Sequence, residues 1–152
     1  MLIGGLEKLT LLDYPDKLAA IVFTQGCNFR CHFCYNPMLV WPRTSEALAA
    51  DEIHTEKDYP LIQEDDLFLF LKDRQGKIDG VVITGGEPTL HADLPEFIRK
   101  IRALGYLIKL DSNGTNPEML ARLLAAKLID YIAMDIKAPW AKYEQVVGVP
   151  VN

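Results

Sequence analysis

The sequence predicts an α/β fold in which a parallel sheet is covered by helices. Two observations carry that expectation. Strand-length apolar runs alternate along the chain with amphipathic segments of helical period, and the runs are apolar throughout, as strands buried on both faces are. A third observation places the function. Each run ends in a cluster of polar residues or thiols, and in parallel α/β folds ligands bind beyond the carboxyl ends of the strands.

Met1 to Lys17 mixes short apolar pieces with Gly4-Gly5 and a Pro15-Asp16 turn, and reads as an N-terminal extension containing a short strand. Leu18 to Thr24 is the first core strand, followed directly by Gly26 to Asn36 with all three cysteines of the chain. Pro37 to Pro60 reads as a long connection with a helical piece over Ser45 to Ala50 and the acidic pair Asp51-Glu52. A helix then opens at Gln63 or Glu64, carries Leu67, Phe68 and Leu71 on one face, and ends near Gly76. The second strand, Val81 to Thr84, leads into Gly85-Gly86-Glu87-Pro88. An amphipathic helix from Leu94 to Leu104 is closed by Gly105. The third strand, Tyr106 to Leu110, runs into Asp111-Ser112-Asn113-Gly114. Pro117 starts a helix to Lys127, and the fourth strand, Ile129 to Met134, runs into Asp135-Ile136-Lys137. Ala138 to Asn152 reads as a partial helix and tail, of which Ala138 to Val147 can cover part of the far edge of that strand. Residues 1–152 form one domain on this reading, with 1–17 as its extension and four strand–helix units.

Cys27, Cys31 and Cys34 stand in the pattern C-x3-C-x2-C, so one loop can offer three thiolates to one centre. Thiolates bind iron–sulfur clusters, zinc and soft metals. A [4Fe–4S] cube held by three cysteines keeps one iron open to a ligand, whereas structural zinc needs a fourth ligand from His32, His54 or His91. A disulfide with a leftover thiol fits poorly with an odd cysteine count. The other strand ends complement the loop. Gly85 and Gly86 suit either a ligand close to the backbone or a tight turn, and Glu87 suits an ammonium group. Asp111, Ser112 and Asn113 suit a hydroxylated sugar or a cation, or else a turn ahead of Pro117. Lys137 falls on the same side of an extended chain as Asp135 and could meet a carboxylate or pair with its neighbour. A ligand with an ammonium, a carboxylate and a ribose that reaches an open iron describes S-adenosylmethionine.

The cysteine pattern after the first strand, with Phe33 before the last cysteine and Gly85-Gly86-Glu87-Pro88 after the second strand, resembles the radical S-adenosylmethionine superfamily. Phe23 to Cys31, Val82 to Pro88 and Met134 to Lys137 are similar to activating enzymes of glycyl radical enzymes. Gly4-Gly5-Leu6 and Leu12-Asp13-Tyr14-Pro15 resemble the activating proteins of anaerobic ribonucleoside-triphosphate reductase. The resemblance implies a partial (β/α) barrel of the radical S-adenosylmethionine type, with a [4Fe–4S] cluster on Cys27, Cys31 and Cys34 and Phe33 against the adenine. It implies that Glu87 and the Gly85–Gly86 backbone take the methionine ammonium. Asp111, Ser112 and Asn113 would face the ligand or a bound cation, and Asp135 and Lys137 the carboxylate. The implied chemistry is an oxidoreductase reaction: reductive cleavage of S-adenosylmethionine to a 5′-deoxyadenosyl radical, which abstracts hydrogen from a backbone glycine of a partner enzyme. A low-potential donor such as flavodoxin or ferredoxin would supply the electron. Two other readings stay open, a radical enzyme acting on a small molecule such as a deazapurine precursor, and a non-catalytic metal or electron-transfer module. Longer relatives have six strand–helix units, so a barrel shortened at its C-terminus is expected.

Composition narrows the setting. Hydrophobic residues make up 49% and charged residues 24%, ordinary for a globular domain. A formal net charge of −5 argues against a general nucleic-acid partner. The longest apolar run, Leu18 to Phe23, is too short to cross a membrane, and no targeting peptide is read at the N-terminus. A reducing, cytoplasmic location is expected, which also suits an oxygen-sensitive cluster.

Overall fold

The computed structural model describes residues 1–41 and 60–151. Five strands form one sheet in chain order: β1 (Ile3–Thr10), β2 (Ala19–Thr24), β3 (Gly80–Gly85), β4 (Leu107–Ser112) and β5 (Tyr131–Met134). β1 runs antiparallel to β2, and β2 to β5 are parallel. The register sets Thr24 beside Gly85 and Ser112 beside Met134, so the carboxyl ends of the four parallel strands share one edge. Strands β2 to β5 form the expected parallel sheet of a partial barrel, and β1 adds an antiparallel edge strand that makes the sheet mixed.

Helices α1 (Glu64–Asp73), α2 (Leu94–Ala103) and α3 (Pro117–Ala125) link the parallel strands. Acids in the first turn of α1 (Glu64, Asp65, Asp66) and Lys72 in its last oppose the helix dipole. Asn116 caps α3, its side chain accepting from the Met119 N–H at 3.1 Å. Alternation along the strands then separates two faces. Ala20, Val22, Val81, Ile83, Ile108 and Leu110 pack against Leu67 and Leu71 of α1, Phe97, Ile98 and Ile101 of α2, and Leu120 and Leu123 of α3. Each such aliphatic or aromatic side chain removed from water contributes about 1.5–3 kcal/mol. Ala19, Ile21 and Val82 face the opposite, concave side with Tyr14, Phe23 and Leu107. No helix among the described residues is long and apolar enough to cross a membrane.

Three departures from the sequence reading have physical causes. The short strand expected in the extension is an eight-residue edge strand, in which only Ile3 and Thr10 are buried, so its apolar pattern understates its length. β4 continues past Leu110 because Asp111 and Ser112 pair with Ala133 and Met134, polar residues extending a strand that hydrophobicity alone would stop. The C-terminal segment forms a 3-10 turn (Trp140–Lys142) and the short helix α4 (Tyr143–Val147). It does not cover the edge of β5, where Tyr131 and Met134 stay about half exposed. Instead it packs on the cysteine loop: the Arg30 N–H donates to the Val147 carbonyl at 2.7 Å, and the rings of Phe29 and Tyr143 meet edge to face at 6.1 Å. The expected helical piece over Ser45 to Ala50, Asp51-Glu52 and His54 lie outside the described residues.

Candidate functional site

The loops after β2, β3, β4 and β5 enclose a pocket of about 380 Å³, lined by every residue that the resemblance assigned to the cluster or to S-adenosylmethionine, though by neither His32 nor His91 of the histidines considered as zinc ligands. Cys27, Cys31, Cys34 and Phe33 come from the first loop, Gly85, Gly86 and Glu87 from the second, Asp111, Ser112 and Asn113 from the third, and Asp135 and Lys137 from the fourth.

The cysteine loop is closed at its base before any ligand is considered. Gly26 N–H donates to the Leu39 carbonyl at 2.7 Å and Cys27 N–H to that of Val40 at 2.9 Å. All three thiols are free and partly exposed. Burial pushes the Cys27 thiol up, against the Phe29 N–H that donates to its sulfur at 3.4 Å. Burial also raises Cys31, with the Lys137 ammonium pulling the other way. Among the described residues no three His, Cys, Asp or Glu side chains close on a single ion. A cubane asks for less convergence, because each thiolate takes a different iron. Of the histidines considered as ligands, His91 has a ring nitrogen engaged, its Nε2 lying 2.9 Å from the Gln25 carbonyl, whereas the exposed His32 ring packs edge-on against Phe33 at 5.9 Å.

Gly85 and Gly86 owe their identity to the protein's own backbone. Gly85 has φ +121°, and a Cβ on Gly86 would sit 1.9 Å from the Gly26 carbonyl oxygen. That absence of side chains lets Gly86 N–H reach the Thr24 carbonyl at 2.9 Å and Glu87 N–H reach that of Gly26 at 2.8 Å. The second loop is thereby locked to the base of the cysteine loop.

Glu87 is 1% exposed. Its Oε1 accepts from Thr89 N–H at 3.0 Å, Thr89 Oγ1 at 2.5 Å and Ser112 Oγ at 2.9 Å, and its Oε2 accepts from Asn113 N–H at 2.7 Å. All four donors are neutral, and none of the ion pairs among the described residues includes Glu87. The carboxylate thus joins the third loop to the second and leaves a negative charge on the pocket wall without a counter-charge.

Asp111 pairs with the ammonium of Lys109, a lysine only 7% exposed on the concave face of β4. Burial raises the Asp111 carboxyl, and the Lys109 hydrogen bond and charge oppose that rise. Asn113 Nδ2 donates to Asn28 Oδ1 at 2.8 Å, and Asn28 Nδ2 to Thr115 Oγ1 at 2.8 Å, tying the cysteine loop to the third loop. Lys137 Nζ donates to Asp135 Oδ2 at 2.7 Å. Burial lowers the Lys137 ammonium, but the Asp135 hydrogen bond and charge outweigh it, so its pKa lies above the usual lysine value. Lys109, Asn28, Thr115 and Gln25 were missed from the sequence. Lys109 stands two residues before Asp111 in a strand, the same signal that united Asp135 with Lys137, and was findable. Gln25 and Asn28 stand inside the Phe23 to Cys31 motif, which gave them no role of their own, and Thr115 carried no periodic or motif signal.

Comparison with known proteins agrees with this geometry. The family described as the radical SAM superfamily matches residues 21–151. A protein of Methanocaldococcus jannaschii described as a glycyl-radical enzyme activating enzyme is 36% identical over 147 residues, covering 96% of this chain and 54% of that one. A 7-carboxy-7-deazaguanine synthase of Halobacterium salinarum is 34% identical over 108 residues, covering 68% of this chain and 36% of its own. The crystal structure of QueE from Escherichia coli is similar in fold, with a TM-score of 0.56 at 23% identity over 75% of this chain and 53% of that one. The chain spans about half the length of the Methanocaldococcus protein.

Proposed function

Because the chain belongs to the radical SAM superfamily, whose cofactors are a [4Fe–4S] cluster and S-adenosylmethionine, we propose that it is the core of a glycyl-radical enzyme activating enzyme. The observation that carries this reading is the meeting, in one pocket, of three thiols, a buried carboxylate with no counter-charge among the described residues, and a lysine paired with Asp135. Cys27, Cys31 and Cys34 would hold three irons, and the fourth would stay open to the ligand. Glu87 would take the ligand ammonium beside the Gly85–Gly86 backbone, and Lys137 its carboxylate. Phe33 would lie on the adenine, with Asp111, Ser112 and Asn113 towards the ribose or a cation. Charge type supports the match: the buried Glu87 carboxylate offers a counter-charge to an ammonium, and Lys137 one to a carboxylate.

When bound, the two cofactors supply one-electron chemistry that breaks an S–C bond. The protein's part is to orient both, hold the ligand's charges in fixed places and keep water out. The partner would be a glycyl radical enzyme, on the Gly4-Gly5-Leu6 and Leu12-Asp13-Tyr14-Pro15 motifs an anaerobic ribonucleoside-triphosphate reductase, with flavodoxin or ferredoxin as electron donor. A second reading, a small-molecule radical enzyme, is favoured by the similarity to the deazaguanine synthase.

Anaerobic reconstitution tests the proposal. The wild-type chain should take up iron and sulfide and then bind S-adenosylmethionine, and Cys27→Ala, Cys31→Ala and Cys34→Ala should each lose the cluster. A triple variant retaining the full iron and sulfide complement would sink it. A glycyl radical signal on an added reductase, against consumption of a deazapurine precursor, decides between the two readings.

A further inference from the structure

We infer that Gln25 is the positioning residue of the cysteine loop: its buried side-chain amide closes the base of the loop, and β1 is built to leave it room. The inference extends the reading of the cysteines proposed above. Gln25 directly follows β2 and is 1% exposed. Its Nε2 donates to two carbonyls on the far side of the loop, Met38 at 3.0 Å and Trp41 at 2.7 Å. Cys27, Cys31 and Cys34 all lie between those anchors. Two backbone bonds, from Gly26 to Leu39 and from Cys27 to Val40, complete the closure. The main chain of Gln25 is held as well, its N–H donating to the Leu2 carbonyl at 3.0 Å and its own carbonyl facing His91 Nε2 at 2.9 Å.

The other half of the amide gives the arrangement away. Gln25 Oε1 is buried and has no hydrogen-bond partner among the described residues. Turning the amide over would set that oxygen against two carbonyl oxygens, so the NH2 group must face them. Buried acceptors are rarely left unpaired. Here one is, because a single group with two donors is what bridges Met38 and Trp41.

β1 supplies an independent observation. A Cβ on Gly4 would lie 2.7 Å from Gln25 Oε1 and 2.4 Å from Leu39 Cδ2, closer than real contacts allow, whereas a Cβ on Gly5 would meet Phe23 at 3.5 Å, an ordinary contact. Of the Gly4-Gly5 pair, the first accommodates the Gln25 bridge and the second does not touch it. A loop held at its base presents its three thiols already ordered, which lowers the entropy lost when a cofactor is taken up. Because Gly26 also accepts from Glu87 N–H at 2.8 Å, the same base sets Cys27 relative to Glu87.

The test uses the full chain under anaerobic conditions, before and after reconstitution with iron and sulfide. Gln25→Met keeps the length of the side chain and removes both donors; Gly4→Ala pushes on the native amide from outside. Each should speed amide hydrogen exchange at Gly26 and Cys27 by about fivefold to thirtyfold, the range given by the loss of one or both of the bonds to Met38 and Trp41, with Val82 and Ile108 in the strand centres unchanged. After reconstitution both variants should lose iron to EDTA faster by a similar factor. Gly5→Ala should behave as wild type throughout. Unchanged exchange at Gly26 and Cys27 in both variants overturns the inference, and so does a rise that is equal at Val82 and Ile108, which marks a general loss of stability. A wild-type chain that takes up no iron would instead overturn the reading of the cysteines, and the exchange measurements would still decide whether Gln25 closes the loop.

Discussion

Replacing Glu87 by glutamine separates what its charge does for the fold from what it does for a ligand. In the native pocket Oε1 accepts three hydrogen bonds and Oε2 one, all from neutral donors. Glutamine can keep its oxygen at the Oε1 position, but its NH2 then replaces Oε2 and faces the Asn113 N–H, donor against donor, where the native separation is 2.7 Å. The opposite orientation is worse, since it sets the NH2 against three donors. One charge-assisted bond is lost and a buried N–H is left without an acceptor, each worth about 1–3 kcal/mol, while removal of a buried charge gives part of this back. The net expectation is a destabilisation of about 2 kcal/mol, a fall in Tm of about 4–8 °C for a chain of 152 residues. Thermal and urea unfolding of the cluster-free protein measures this without any contribution from cofactors. A variant within about 0.5 kcal/mol of wild type, or more stable, would refute the reasoning. It would mean that desolvating the carboxylate costs as much as its four bonds return, and that Glu87 serves a ligand alone.

Further outcomes follow from the same geometry. Gly86→Ala must push the second loop off Gly26, because the new Cβ would meet the Gly26 carbonyl oxygen at 1.9 Å; a loss of about 3 kcal/mol or more in urea unfolding is expected, and a loss under about 1 kcal/mol would show that the two loops separate cheaply. His91 is held below its ordinary value of 6.5 by burial, with the Gln25 carbonyl opposing. The unfolded chain therefore takes up a proton before the folded one, and this group's contribution to stability is full above pH 6.5 and falls as the pH drops below it. A urea midpoint measured from pH 7.5 to 5 should decline more steeply in wild type than in His91→Asn, and parallel slopes would contradict the assignment. Lys137→Ala should weaken S-adenosylmethionine binding on the order of tenfold to a thousandfold in calorimetry of the reconstituted chain, with iron content unchanged. Equal affinity would leave Lys137 as the partner of Asp135 only.

The legible part of the fold was the part written in local periodicity. The all-apolar strand runs, the helical spacing of Leu67 and Leu71 and of Phe97, Ile98 and Ile101, and the turn residues between them place β2 to β5 and α1 to α3 within a few residues of where they lie. The extent of β1 and the last two residues of β4 were not legible, because an exposed edge strand and a polar strand end depart from the apolar pattern while the backbone pairing continues. Likewise the segment that forms α4 could have covered part of the edge of β5, and no short-range signal announced that Phe29 and Arg30 would hold it on the cysteine loop instead.

For the site, the sequence alone determined the inventory: three thiols in one loop, a carboxylate after Gly85-Gly86, an acid and amides after β4, and an acid with a lysine after β5. Parallel strand topology then required those groups to share one rim, since a strand end can be placed without knowing any side-chain contact. The tertiary structure decided which groups are already bonded to one another. Glu87 reaches Asn113 across 26 positions, Asn28 reaches Thr115 across 87, and Gln25 meets His91 across 66. It also decided that Gly85 and Gly86 yield space to the protein's own backbone and that Gly4 yields it to an amide. Such pairings depend on register, loop path and the direction of individual donors, and spacing along a chain records none of these.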